Sequence, residues 1–351
     1  MIADQHLDQL RYLPGIEVVG VCDREPLMAR QLAGRFAVPQ CFTDPAEMLG
    51  RLRPDAVHIT TPVQSHFALG RLALEAGCHV YLEKPFTETV AEAEGLVRLA
   101  GEERRRITVG HNLQFSPEAV RMRQFVQAGC LGGAPVHLES FQAYSHEDPT
   151  YGKPVLSDPD HWVRRLPGSL LHNLISHGVA KLAEFLQGDC PTVRSLSFGS
   201  PFLTRRGETM LIDEVRATLQ DEAGTTAFFL FTTQCRAGSN ELRLYGPGGN
   251  LVLDNTYRTV RRMLPSRQKS YLRYFLSPWG EARESLANAA WSMRQFWRRE
   301  FHMDHGMRQL MRAFYAAVRE EGPDPIPTAE ILRTSRIMDR IFAQFPGREM
   351  P

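Results

Sequence analysis

The chain has 351 residues, about twice the length of an average domain, so two domains are expected and a fragment-sized fold is excluded. Hydrophobic residues make up 43% and charged residues 23%, which excludes a disordered or collagen-like chain. Lys and Arg (41) balance Asp and Glu (40), so the global basic excess of a nucleic-acid binder is absent. Cys22, Cys41, Cys78, Cys130, Cys190 and Cys235 show neither a CxxC pair nor any other ligand spacing, which argues against a metal site and against a disulfide framework. The opening MIADQHLDQL has no apolar core, and no later run approaches the ~18 to 20 apolar residues of a membrane span. A soluble, cytoplasmic protein without a transmembrane segment is expected.

The first 110 residues alternate short β-branched runs with amphipathic stretches, the pattern of βαβ units and a parallel sheet. The expected strands are Ile16–Cys22, Ala56–Thr60, His79–Leu82 and Ile107–Gly110. The expected helices are Leu27–Phe36, His66–Ala76 and a longer one from Val90 to about Arg104, opened by the capping box Thr89-x-x-Glu92. After Ser116 the rhythm changes. A helix over Pro117–Ala128 leads into alternating runs at Val136–Tyr144, Val193–Phe198, Glu214–Leu219, Thr225–Thr232 and Glu241–Leu244. Turn sequences such as Asp221-Glu-Ala-Gly224 and Gly246-Pro-Gly-Gly249 separate them, as in an antiparallel sheet. One continuous helix is expected over Ser169–Leu186, with further helices filling Glu281–Arg319 and Ala329–Phe345. The fold class is thus α/β: a Rossmann-type doubly wound domain over residues 1–115, then an α+β domain with a large, mainly antiparallel sheet over 116–351.

Ligands of an open parallel sheet bind at the carboxyl ends of its strands. Asp23 ends the first strand, as a carboxylate for ribose hydroxyls would, and Arg24 follows it in a place to meet a 2′-phosphate. Thr61 and Pro62 follow the second strand, with His66 just beyond, a common loop chemistry in its own right. The next strand ends in Glu83-Lys84-Pro85, which sets a lysine where a carbonyl or alkoxide oxygen needs a positive charge.

The ordered set Asp23, Thr61-Pro62 with His66, Glu83-Lys84-Pro85, and Gly110-His111-Asn112 followed by Phe115-Ser-Pro117 resembles the glucose–fructose oxidoreductase, inositol dehydrogenase and rhizopine-catabolism (Gfo/Idh/MocA) family of nicotinamide oxidoreductases. Tyr245-Gly-Pro-Gly-Gly-Asn250 followed by Leu251-Val-Leu-Asp254 resembles the family's second domain, so the similarity runs nearly the length of the chain. The resemblance implies NAD or NADP as cofactor, with Asp23 favouring NAD. It implies Asp23, Arg24, Thr61, Pro62, His66, Glu83, Lys84 and Asn112 as cofactor-binding residues. It also implies a carbohydrate-type substrate, and a homo-oligomer, dimer or tetramer, assembled through the second-domain sheet. The family presents an Asp and a His one helical turn apart to the substrate; here Asn173 and His177 hold those places, and Ala180 stands where a second Asp often follows. Lys84, His177 and Asn173 are accordingly the expected catalytic residues: His177 for the proton, Lys84 for the developing oxyanion, Asn173 for orienting a hydroxyl. Neighbouring His172 is expected to pack or face solvent.

Two features stand apart. A Rossmann domain opens with a strand and a Gly-x-Gly turn before its first helix, whereas Met1–His6 resembles that helix itself; a downstream start or a truncation is the expectation. Residues 258–308 carry eleven Lys or Arg against four acids, interleaved with Tyr271, Tyr274, Phe275, Trp279, Trp291, Phe296, Trp297 and Phe301. They are read first as a subunit or domain-packing helix, with an anionic-substrate rim or a membrane-surface helix as alternatives. The expected function is NAD(P)-linked hydride transfer at a hydroxyl or keto carbon of a sugar, cyclitol or nucleotide-sugar. The alternative is a catalytically degenerate NAD(P)-binding protein of regulation or assembly.

Overall fold

The computed structural model describes residues 2–146, 152–235, 239–263, 270–298 and 305–346. They form two units: Met1–Asn112 with Gly306–Ser335, and Leu113–His305 with Arg336–Pro351.

In the first unit α1 (Ile2–Leu10) is followed by β1 (Val21–Cys22), α2 (Pro26–Phe36), β2 (Cys41–Phe42), α3 (Pro45–Leu52), β3 (Ala56–Ile59), α4 (His66–Glu75), β4 (His79–Leu82), α5 (Val90–Glu102) and β5 (Ile107–Val109). β3, β4 and β5 pair in parallel, with Val57 opposite Val80 and Val80 opposite Ile107. β4 lies in the middle and buries Val80, Tyr81 and Leu82 completely, as a strand covered on both faces must. The Thr89 capping box forms as expected, the Thr89 hydroxyl accepting from Glu92 N while Glu92 accepts from Thr89 N. The expected strand over Ile16–Cys22 contracts to two residues, because only Val21 and Cys22 find partners, in β2. Among the described residues no strand joins this β1–β2 pair to the β3–β4–β5 sheet.

The second unit begins with α6 (Pro117–Gln127), β6 (His137–Ala143), α7 (Gly152–Ser157), α8 (Ser169–Leu174) and α9 (Ser176–Ala183). Then come β7 (Thr192–Phe198), α10 (Pro201–Arg205), β8 (Glu214–Gln220), β9 (Thr226–Thr232), β10 (Asn240–Gly246), β11 (Gly249–Asp254), β12 (Thr259–Met263) and α11 (Ser270–Trp297). The seven strands run in the order β12-β11-β10-β6-β9-β8-β7, all antiparallel except the β6–β9 pair. Alternation fixes the faces. On β9, Ala227, Phe229 and Phe231 enter a core shared with Leu171, Val179 and Leu182, while Phe228 points the other way and is half exposed. The β10–β11 turn needs its glycine, since a Cβ on Gly248 would lie 2.8 Å from the Cα of Gly132.

α11 is longer than expected and starts at Ser270. One of its faces is fixed to β12: Asn288 receives the Val260 N–H at 3.1 Å and donates to the Val260 carbonyl at 2.9 Å, and Arg262 pairs with Glu284 at 2.6 Å. Phe275, Trp279, Leu286, Met293 and Phe296 are exposed on the same helix. Of the basic aromatic segment, Arg267, Lys269, Arg299, Glu300, Phe301 and Asp304 lie outside the described residues.

The second domain expected over 116–351 is discontinuous. Within α12 (His305–Val318) the chain rejoins the first unit at Gly306, burying Met307, Leu310, Met311 and Phe314. Arg308 donates to Gln9 at 2.8 Å and Arg106 to Asp324 at 3.3 Å. α13 (Thr328–Phe342) then crosses back and adds Ile337, Ile341 and Phe342 to the core of the second unit.

Candidate active site

The expected cofactor residues of the first unit all follow the carboxyl ends of its parallel strands, because each βα turn emerges there. After β4, Glu83 is 6% exposed and Lys84 half-buried, and the Lys84–Pro85 peptide is cis. Glu83 Oε1 lies 2.9 Å from His6 Nε2, and its Oε2 accepts the Lys84 backbone N–H at 3.1 Å. Gly110, after β5, has no room for a side chain: a Cβ there would sit 2.6 Å from Glu83 Oε1. Burial lowers the Lys84 ammonium pKa, and the charge on Glu83 opposes that pull. His111 is buried beside this lysine; desolvation and then the Lys84 charge push its pKa down to about 3, so the ring is neutral at working pH. Asn112 begins the short turn that follows.

After β3, Thr61 and Pro62 are exposed, and the Ser65 hydroxyl holds their turn at 2.7 Å from Thr61 Oγ1 and 2.8 Å from the Pro62 carbonyl. His66 differs from expectation. It is 1% exposed, with Nε2 at 2.9 Å from the Thr61 carbonyl and Nδ1 at 3.1 Å from that of Phe86. It therefore braces two turns against each other, and the buried carboxylate of Glu83 likewise braces the Lys84 backbone against His6. After β1, Asp23 Oδ1 accepts the Glu25 N–H at 2.9 Å, which orients the carboxylate, and Arg24 is exposed beside it.

In the second unit the single helix expected over Ser169–Leu186 is interrupted at Ile175. The Gln142 side chain of β6 donates to the Leu174 carbonyl at 3.2 Å and the Ser140 hydroxyl to that of Gly178 at 3.0 Å, so sheet side chains take up helix acceptors on either side of the bend. Asn173 and His177, both half-buried, flank it: Asn173 near the end of α8, His177 in the first turn of α9. Ala180 is fully buried, and His172 stacks on Phe342 with centroids 5.1 Å apart, the packed alternative of the two expected for it.

Lys181, one turn after His177, was not legible as a site residue, because a lysine in an amphipathic helix ordinarily faces water. Here it is 2% exposed and donates to the side-chain oxygens of Asn240 and, at 2.8 Å, Asn255. Asn255 in turn donates to Glu118 at 2.7 Å. Burial brings the lysine pKa down to about 7, against the opposing charges of Glu118, Asp254 and Glu241. A second buried cluster gathers His146, Ser200 and Thr233 on Asp213, each 2.6 Å from Oδ2. All three bond to the aspartate, which makes it a structural hub and not a nucleophile–base relay. Among the described residues no group of His, Cys, Asp and Glu is placed to hold a metal ion.

Parallel βα units, with Asp23 after β1 in one pair of strands and Lys84 after β4 in the three-stranded sheet, together with an α+β unit, define a Rossmann-type two-domain fold. Residues 1–111 match the model of the oxidoreductase family with an NAD-binding Rossmann fold, Gfo/Idh/MocA. Among curated proteins it is 26% identical to the D-apiose dehydrogenase of Paraburkholderia graminis over 262 residues, covering 73% of this chain and 63% of that one. It is 33% identical to the UDP-N-acetylglucosamine 3-dehydrogenase of Acidithiobacillus ferrooxidans over 130 residues, 37% of this chain and 39% of that one. The chain thus spans less than two thirds of the length of these relatives. Among solved structures, the WlbA dehydrogenase of Bordetella pertussis, in complex with NADH and UDP-GlcNAcA, superposes with a TM-score of 0.75 at 15% identity, covering 97% of this chain and 91% of that one. That likeness establishes the fold.

Proposed function

We propose that the chain is an NAD(P)-dependent dehydrogenase or reductase acting on a hydroxyl or keto carbon of a sugar, cyclitol or nucleotide-sugar, working in the cytoplasm, where its six free thiols are at home. The observation that carries this reading is Lys84: a half-buried amine of lowered pKa, at the mouth of a buried parallel strand, whose backbone N–H is held by the buried carboxylate of Glu83. The residues fit a nicotinamide dinucleotide. Asp23 suits the ribose hydroxyls and disfavours a 2′-phosphate, so NAD is the preferred form; Thr61, Pro62, Lys84 and Asn112 line the following strand ends. When bound, the cofactor supplies the hydride acceptor or donor. The Lys84 ammonium donates to the oxygen on which charge develops, a role in which burial strengthens it. A His177 ring nitrogen takes the hydroxyl proton, and Asn173 orients a neighbouring hydroxyl without stabilising an imidazolium.

The names of the relatives, D-apiose and UDP-N-acetylglucosamine dehydrogenases, support the carbohydrate substrate class. A homo-oligomer joined through the open sheet face is part of this proposal, with a second copy as the occupant: Leu196 and Phe228 are 64% and 50% exposed there, and Phe141 and Leu230 share that face. A second reading, a nicotinamide-binding protein without turnover, is favoured by one observation, the amide of Asn173 where the family carries a carboxylate.

The experiment is a mass-spectrometric screen of sugars and nucleotide-sugars with NAD and NADP. A converted substrate whose turnover falls ~10²-fold in Lys84→Ala and in His177→Ala supports the enzyme. Cofactor binding with no conversion, by the natural chain and by Asn173→Asp alike, supports the second reading.

A further inference from the structure

We infer that Tyr315, His58 and His6 form a proton path that ends on the carboxylate of Glu83, making His6 and His58 positioning residues that act through Glu83 on the Lys84 turn. The four groups come from α12, β3, α1 and the end of β4, and are linked by three contacts of equal length. Tyr315 Oη is 2.9 Å from His58 Nε2, His58 Nδ1 is 2.9 Å from His6 Nδ1, and His6 Nε2 is 2.9 Å from Glu83 Oε1. His6 is 2% exposed. The ring planes are held by packing: His58 stacks on Tyr81 with centroids 4.7 Å apart and on Tyr315 at 5.8 Å, and His6 stands edge-on to both His58 and Tyr81.

Hydrogen-bond arithmetic fixes the protons. A neutral imidazole has one donor and one acceptor, an ionised carboxylate only accepts, and two ring nitrogens facing each other need one hydrogen between them. With Glu83 ionised, His6 must therefore carry its hydrogen on Nε2, and its Nδ1 lone pair requires the hydrogen of His58 on Nδ1. His58 Nε2 is then the acceptor for the Tyr315 hydroxyl. Every link is satisfied with no charged ring. One proton entering at Tyr315 produces the complementary set: O–H forms on Glu83, Nδ1–H on His6 and Nε2–H on His58. The His6 Nε2–H, His58 Nδ1–H and Tyr315 O–H bonds break, the last being remade from water. The reverse sequence returns the proton. Tyr315 is half-buried, so the path leads from the solvent side to the buried carboxylate.

The surroundings keep the His58 ring uncharged. Burial, then the neighbouring His6, lowers the His58 pKa well below its ordinary value. His58 is faced by His6, Tyr81 and Tyr315; Glu83 by His6, Lys84, Tyr81 and His66; and Tyr315 by His58, Arg319 and Asp55. Hydride transfer to a carbonyl consumes one proton and its reverse releases one, so a chain delivering a proton beside Lys84 matches the chemistry proposed above. The inference rests on that reading only for what the proton is used for.

The test is nuclear magnetic resonance of the full chain with 15N-labelled histidine. The expected spectra at neutral pH show the hydrogen of His6 on Nε2 and that of His58 on Nδ1, and solvent exchange of both N–H groups slowed about tenfold in Tyr315→Phe. His6 carrying its hydrogen on Nδ1, His58 protonated on Nε2, or unchanged exchange in Tyr315→Phe would overturn the path. The tautomers are read in the unmodified chain, so they decide the matter even if the variant folds poorly. They are independent of any turnover, which separates failure of this inference from failure of the dehydrogenase reading.

Discussion

Replacing Gly110 by alanine tests the packing that fixes Glu83. The new Cβ would lie 2.6 Å from Oε1, 2.9 Å from Cδ and 3.1 Å from Oε2, so the carboxylate must retreat by on the order of 1 Å to reach ordinary contact distance. A free glutamate would simply swing away. This one is held at Oε1 by His6 and at Oε2 by the Lys84 amide, in a buried position. Losing a hydrogen bond to a buried charged group costs ~1.5 to 3 kcal/mol, and overpacking costs ~1 to 3 kcal/mol. A loss of about 2.5 to 6 kcal/mol follows, which at ~2 to 4 °C per kcal/mol lowers Tm by about 5 to 25 °C. Calorimetry of the intact chain reads it directly. A double-mutant cycle with Glu83→Ala adds the decisive control: once the carboxylate is gone, Gly110→Ala should lose most of its effect. A Gly110→Ala protein melting within 1 °C of its parent, or the same loss in the Glu83→Ala background, would refute the reasoning.

The buried histidines predict acid sensitivity. His111 has a folded pKa of about 3, below the ~6.5 of an unfolded chain, so the folded state binds fewer protons between those values. Stability is then fully present above about pH 6.5 and falls by ~1.4 kcal/mol per pH unit as the pH drops below it, with His58 and His66 acting in the same direction. Urea midpoints measured from pH 7 to 4.5 should fall steadily, and a flat profile would contradict the burial of these rings as neutral groups. On the sheet face, Leu196→Asp and Phe228→Asp should halve the sedimenting mass of an oligomer with little change in Tm. An unchanged mass would remove that face from the assembly.

Much of this architecture is legible in the sequence because it is written in local signals. Thr89 and Glu92 announce the start of α5, the apolar run before Glu83 announces a buried strand, and the alternation along β8 announces an antiparallel sheet. What escaped depends on contacts between distant residues. β2 is two residues long and too short for any periodicity. The bend at Ile175 is imposed by Gln142, a side chain of another element. The inward roles of His66 and Glu83 come from what lies beneath them, and His6, His58 and Tyr315 meet only because α1 and α12, about 300 residues apart, pack in one unit. The buried state of Lys181 likewise follows from Asn240 and Asn255, which no spacing rule connects to it.

Titration of the intact chain with NADH, followed by fluorescence, tests the central claim most directly. Saturable binding with a blue-shifted nicotinamide emission is predicted, weakened at least tenfold in Asp23→Ala and nearly unchanged in Lys84→Ala, as the proposed roles of the carboxylate on the ribose and of the amine at the reacting centre require. No saturable binding of either NADH or NADPH, or an Asp23→Ala protein that binds as tightly as its parent, would contradict it.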